Sequence, residues 1–347
     1  MNLIFTEAQL QDFVVHKVGN KIADEPCFIA NDAVVCDDQL KSLLCQYFLN
    51  AFRSEEVYRF HHDMDLSYNE VYSCVKQVFE NPETLYEQST HLAKQLYNKS
   101  THPKIKGGEF YMVYFKDCSL NGERHNAVGL FKSENKDTFL EVEQDTDGFI
   151  IESREGININ KLDKGCLIFD SEAENGYLLS IVDNTNRGTE AQYWKDDFLS
   201  VMVLNNEFHQ TNQFLGIAKH FVTQQLNEDF VVTKAVQIDY LNRSVDYFKS
   251  HDTFDKQQFE EEVFGDNNVI QSFRKFDENY RTQNEVELAD SFEISAQAVK
   301  KQARVFKSVL KLDRNFHIYI HGSRELIEQG IDESGRKFYK IYYEEEN

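Results

Sequence analysis

The sequence predicts an α+β protein. N-terminal helices accompany an antiparallel β-sheet meander, and a mostly helical C-terminal region ends in a β-hairpin. Between residues 109 and 182, short apolar runs alternate with Asn-Gly and Asp-Gly dipeptides, which suit hairpin turns. On either side, apolar residues recur every three or four positions, the helical period. The helical texture returns after Asn205, which divides the chain into candidate domains at 1–204 and 205–347. Only three prolines occur in 347 residues, so long helices are permitted.

Residues 12–18 read as a short strand followed by a Gly19-Asn20 turn, and residues 28–35 as a second strand. Asp37 or Asp38 can cap a helix reaching about Arg53, with Leu40, Leu43, Leu44, Tyr47, Phe48 and Phe52 on its apolar side. Ser67 and Glu70 have capping-box spacing and predict a helix to about Phe79. Asn81-Pro82 predicts another start, since proline at the first helical position needs no amide partner. Gly107-Gly108 ends that pattern. Six strands of a meander follow, in pairs around Asn121-Gly122, Asp147-Gly148 and Asn175-Gly176. Residues 183–191 read as a polar loop and 198–204 as one more strand.

Beyond Asn205 helices are expected at 208–226 and 230–250. Shorter, acidic ones are expected at 254–264 and 269–280. Residues 316–321 and 337–343 alternate in a way that suits a closing hairpin. Apolar residues make up 41% of the chain, enough for a large core, so global disorder is not expected. The mean hydropathy is −0.56 and no apolar run approaches a membrane span. The start carries neither a basic nor a long apolar segment, so no secretory signal is expected. Six scattered cysteines without a C-x-x-C pair read as reduced core thiols of a cytoplasmic protein.

Charge is lopsided. Acidic residues number 59 against 37 basic, a net charge of −22. The whole molecule repels nucleic acid and anionic membranes at long range, so contact with DNA requires a local positive patch. Residues 252–293 hold 12 acidic and 4 basic residues, whereas 294–343 hold 10 basic and 5 acidic. Within the second stretch, residues 297–314 read as a helix. Lys300, Arg304, Lys307, Lys311 and Arg314 fall at spacings of four and three, with Lys301 beside the first. Such a row of cations suits phosphate contacts. Val299, Ala303, Phe306 and Leu310 would hold the helix down. A solvated face, or pairing with the chain's own acidic helices at 252–293, explains the same pattern without DNA.

Ala289 and Val299 have the spacing of a helix-turn-helix, although Glu293 stands where glycine would ease the turn. With the terminal hairpin this would suggest a winged helix. His61-His62-Asp63-Met64-Asp65 has metal-ligand residue types, but consecutive residues rarely converge on one ion, so an exposed loop is expected. His16 reads as a hydrogen-bonded sheet histidine, and His317 and His321 likewise. Trp194 reads as a packing anchor, and the adjacent Asp196-Asp197 as a chance carboxylate pair in so acidic a chain. No nucleophile elbow, phosphate loop or dinucleotide fingerprint occurs, so no catalytic, metal or cofactor site is assigned.

The order of features resembles bacterial nucleoid-associated proteins of the NdpA (YejK) type. The residues that carry the resemblance are 13–20, 176–182, 213–221, 234–248 and 315–320. It covers nearly the whole chain through apolar pattern and order. It implies a non-enzymatic protein of the cytoplasm and nucleoid that acts at DNA, directly or through a DNA-handling protein. A homodimer would gather basic segments from two chains. The leading expectation is therefore sequence-tolerant DNA contact, with about five cations giving a log–log salt slope of roughly −4 to −5. One rival is an acidic interaction protein that occupies the DNA site of a partner such as a topoisomerase. Another is a hydrolase using carboxylates and a divalent ion.

Overall fold

The structure, a computed structural model, describes every residue except 1, 54–55, 186–192, 305, 307–308, 313–314, 321–325, 344 and 346–347. The chain divides into two compact units, Met1–Leu204 and Asn205–Asn347. It is a mixed α+β protein with antiparallel sheets.

In the first unit, β1 (Leu3–Ile4), β2 (Gln9–Val18) and β3 (Cys27–Phe28) precede α1 (Asp38–Leu49) and β4 (Tyr58–Phe60). Then come α2 (Glu70–Glu80), α3 (Leu85–Lys99), β5 (Gly108–Leu120) and β6 (Glu123–Ser133). β7 (Asp137–Asp145), β8 (Gly148–Gly156), β9 (Lys164–Phe169), β10 (Leu178–Asp183) and β11 (Val201–Val203) complete it. The main sheet has nine strands in the order β11-β4-β10-β9-β6-β5-β2-β3, and β1 also pairs with β5.

Side chains alternate across this sheet, and both faces are covered. Phe110, Met112 and Tyr114 of β5 join α2, α3 and Trp194 in one core. Tyr111, Val113 and Phe115 join Tyr47, Phe48 and Phe52, around α1, in another. Burial on both faces explains why β5, β6 and β9 read as near-continuous apolar runs. At the β5–β6 turn Asn121 and Gly122 both have positive φ, 53° and 90°, as a two-residue turn of this hand requires.

Several details differ from the sequence reading. The second strand stops at Phe28, and the helix after Ser67 is capped by Asn69, which accepts from Tyr72 N–H. Asp65 takes the Ser67 amide instead, in a short 3-10 turn. Of the six meander strands, β5, β6, β9 and β10 lie side by side, while β7 and β8 form a separate two-stranded ribbon. The ribbon turns at Thr146-Asp147, since Asp145 pairs with Gly148. Its register puts Leu140, Val142, Phe149 and Ile151 on one exposed face and Glu141, Glu143 and Glu152 on the other. Residues 193–199 form a π-helical turn in which Trp194 is fully buried, leaving only Val201–Val203 as strand. The polar loop at 183–191 lies largely outside the described residues.

In the second unit, α4 (Glu207–His220) continues through a π-turn at Phe221–Gln225 into α5 (Leu226–Asp229). The Gln237 side-chain amide takes the Val222 carbonyl at 2.8 Å, one of the ladder acceptors a π-turn leaves available. Next come α6 (Lys234–Ser250), β12 (Thr253–Asp255), α7 (Lys256–Val263) and α8 (Asn267–Gln283). β13 (Ser291–Glu293), α9 (Ala296–Ala303), β14 (Val309–Leu312), β15 (Phe316–Tyr319), β16 (Ile327–Ile331) and β17 (Lys337–Ile341) follow. The core is aromatic. The cross-strand pair Phe254 and Phe292 stacks at 4.6 Å, and Phe214 lies 4.2 Å from Phe254.

Two expectations are corrected here. Residues 286–290 are not helical and Phe292 sits in the β12–β13 ribbon, so the helix-turn-helix does not form. Residues 316–319 pair with β14 and residues 337–341 with β16, giving two hairpins where one was expected. His321 lies outside the described residues. No helix among the described residues is long and apolar enough to cross a membrane.

His16 is buried in β2. Its Nε2–H donates to Ser89 Oγ at 2.9 Å and its Nδ1 accepts from Ala30 N–H at 3.1 Å. Burial lowers its pKa from 6.5 to about 4. The unfolded chain therefore takes up a proton that the folded one refuses. Stability should fall as pH drops from about 6.5 to about 4, by up to about 3 kcal/mol from this group. Urea titrations across that range should show a shallower pH dependence in His16→Gln than in the parent. Equal slopes would remove His16 as a cause.

Candidate nucleic-acid interface

The expected basic helix is shorter than its charge spacing suggested. Ser295 caps α9 by accepting from Ala298 N–H, and Ala298 and Val299 anchor it in the core. The helix ends at Ala303, and the chain enters β14 at Val309. Lys311 is therefore a strand residue, opposite His317 of β15. The apolar stripe is still buried. Val299 and Phe306 pack with the aromatic core, whereas Leu310 packs with Ile238 and Ile320. A helix followed by a strand satisfied the same spacing, which is why periodicity alone read a single helix.

Of the six candidate cations, Lys300, Lys301, Arg304 and Lys311 are described, and all four are exposed. Lys307 and Arg314 lie outside the described residues. Lys300 and Lys301 occupy the last turn of α9, where the helix dipole favours cations. The Lys301 ammonium rests 5.4 Å from the centre of the Phe208 ring. Among the described residues none of the four has a carboxylate partner within ion-pair distance.

The buried acids of the acidic stretch are instead paired within it. Buried Asp277 takes Lys256 at 2.6 Å and Arg281 at 2.7 Å. Buried Glu260 takes Arg274 at 2.6 Å, which raises the Arg274 pKa. The alternative that α9 neutralises these helices finds no contact among the described residues.

The first unit contains a polar cleft of about 710 Å³ ringed by Lys104, Lys106, Lys136 and Lys161. The sequence reading missed it, because its lysines come from three separate loops. Lys136 is held by Glu109 at 2.6 Å, Lys161 by Asp137 at 2.8 Å, and Lys106 by Asn135 at 2.7 Å. Behind it, fully buried Lys132 and Lys164 are matched by Glu134 and Asp183, with the Tyr193 ring against both. This cleft is close to charge balance. The His61–Asp65 segment is an exposed loop in which His61 meets Asp63 at 3.3 Å. Among the described residues no three His, Cys, Asp or Glu side chains converge on a metal position. All six cysteines are free thiols.

An α+β chain with an aromatic helical unit and exposed cations near its end has counterparts in sequence. The family described as nucleoid-associated protein YejK matches residues 14–336, and the chain belongs to that family. No curated protein matches it.

Asp277→Ala should cost about 3–5 kcal/mol in urea unfolding, because Lys256 and Arg281 lose their shared buried partner. Lys300→Glu with Arg304→Glu should change stability by no more than about 1 kcal/mol, as exposed sites do. A large loss in the double variant would mean these cations are consumed by the fold.

Proposed function

We propose that this chain is a non-enzymatic protein of the bacterial nucleoid, and so of the cytoplasm, that contacts DNA through phosphates. Lys300, Lys301, Arg304 and Lys311 make those contacts, with Lys307 and Arg314 as further candidates. One observation carries the reading: in a chain of net charge −22, these four cations stay exposed and, among the described residues, without carboxylate partners. Membership of the nucleoid-associated family supports the setting. The contacts are sequence-tolerant, since phosphates position a protein without reading bases.

Four neutralised phosphates give a log–log salt slope of roughly −3.6, a loss of about 150-fold in affinity between 50 and 200 mM salt. Fluorescence anisotropy with a labelled duplex measures it. Lys300→Glu with Arg304→Glu should abolish the shift. An affinity that ignores salt, or a double variant that binds as the parent does, contradicts the reading.

A second reading has its own observation. One face of the β7–β8 ribbon carries Glu141, Glu143 and Glu152 around a single cation, Arg154, which meets Glu141 at 2.6 Å and Glu152 at 3.5 Å, and this acidic excess suits a basic DNA-handling partner such as a topoisomerase. On that reading partner binding survives the Lys300/Arg304 reversal and is lost in Glu141→Lys with Glu143→Lys.

A further inference from the structure

The β14–β15 hairpin presents two different faces. Val309 pairs with Tyr319 and Lys311 with His317, so these four side chains share one face. Leu310 and Ile318 lie on the other, where Leu310 is buried against Ile238 and Ile320. The first face looks into a groove of about 460 Å³. Val245 and Lys249 of α6 close the opposite side, and Phe306 contributes an apolar floor. Tyr319 is 66% exposed, although it lines the groove. Its volume falls within the range of about 300–1,000 Å³ found for small-ligand sites.

Charge and apolar surface are arranged here in a way the outer phosphate row does not need. An apolar and aromatic interior suits a flat ring. Lys311, Lys249 and His317 on the rim suit the phosphate next to it. Asp246 holds Lys249 at 3.2 Å, which uses one of three ammonium hydrogens and leaves two. A duplex keeps its bases stacked inside and cannot fill such a groove, whereas a single strand offers a base with a free face. We infer that this groove, with Tyr319 as its stacking platform and Lys311 on its rim, receives an unpaired nucleobase of a single-stranded nucleic acid. The inference rests on the reading that this unit contacts nucleic acid, and it adds a preference for single strands.

The test uses the full chain and a labelled oligothymidine of about 15 nucleotides, a length within reach of one such groove and its flanking cations. A hairpin duplex of matching length is measured beside it. Tyr319→Ala should weaken oligothymidine binding about 5- to 160-fold, the range for one lost stacking contact, and leave the duplex within about twofold. Phe316→Ala removes an equally exposed aromatic from the opposite face and should change neither. Unchanged oligothymidine binding in Tyr319→Ala, or equal losses on both probes, overturns the inference. The Lys300/Arg304 reversal separates the two readings. If it leaves duplex binding intact, the phosphate reading fails. If it abolishes duplex binding while Tyr319→Ala has no effect, only the stacking groove fails.

Discussion

A chain with 59 acidic and 37 basic side chains keeps a positive surface only where its cations are held away from its carboxylates. The proposed contact with DNA depends on that segregation. The C-terminal unit pairs its buried acids locally. Asp277 and Glu260 are buried and take Lys256, Arg281 and Arg274, all from the same acidic stretch. With these two buried acids matched inside 252–293, Lys300, Lys301, Arg304 and Lys311 are left exposed. Short-range ion pairs in a partly buried setting outweigh the long-range attraction between an exposed lysine and a distant carboxylate, which salt screens.

The aromatic core makes the arrangement possible. Phe254 and Phe292 meet across a short ribbon, and that ribbon ties the start of α7 to the entry of α9. Ser295 then starts α9 two residues beyond the ribbon, with Ala298 and Val299 inward and Lys300 and Lys301 outward. The first unit follows a different logic. Its sheet is covered on both faces, and its buried cations Lys132 and Lys164 are matched one for one by Glu134 and Asp183. There, these buried charges serve the fold, while the unit as a whole keeps an acidic excess of 34 acidic against 19 basic residues.

Much of this was legible in the sequence. Turn dipeptides located the β5–β6 hairpin because positive φ is cheap only for a few residue types, and Asn121-Gly122 supplies two. Helical periodicity found α4, α6 and α8, whose buried faces are long enough to show it. It failed at residues 297–314, where two turns of helix and a short strand together mimic one period. It failed again at residues 286–299, where Ala289 and Val299 have suggestive spacing but Phe292 is committed to a strand partner 38 residues upstream. Strand partners are long-range choices, and local pattern does not encode them. For the same reason, the pairing of residues 316–319 with β14, and hence the groove beside Lys311, became visible only in three dimensions.

The central claim is that exposed cations near the C-terminus meet nucleic acid directly. Acetylation of lysines in the full chain, mapped by mass spectrometry with and without DNA at low salt, tests it residue by residue. Lys300, Lys301 and Lys311 should lose reactivity when DNA is added, while Lys256, already paired with Asp277, and Lys104 and Lys106 of the first unit should not change. Protection confined to the first unit, or none at the three C-terminal lysines under conditions where DNA is bound, would contradict the account.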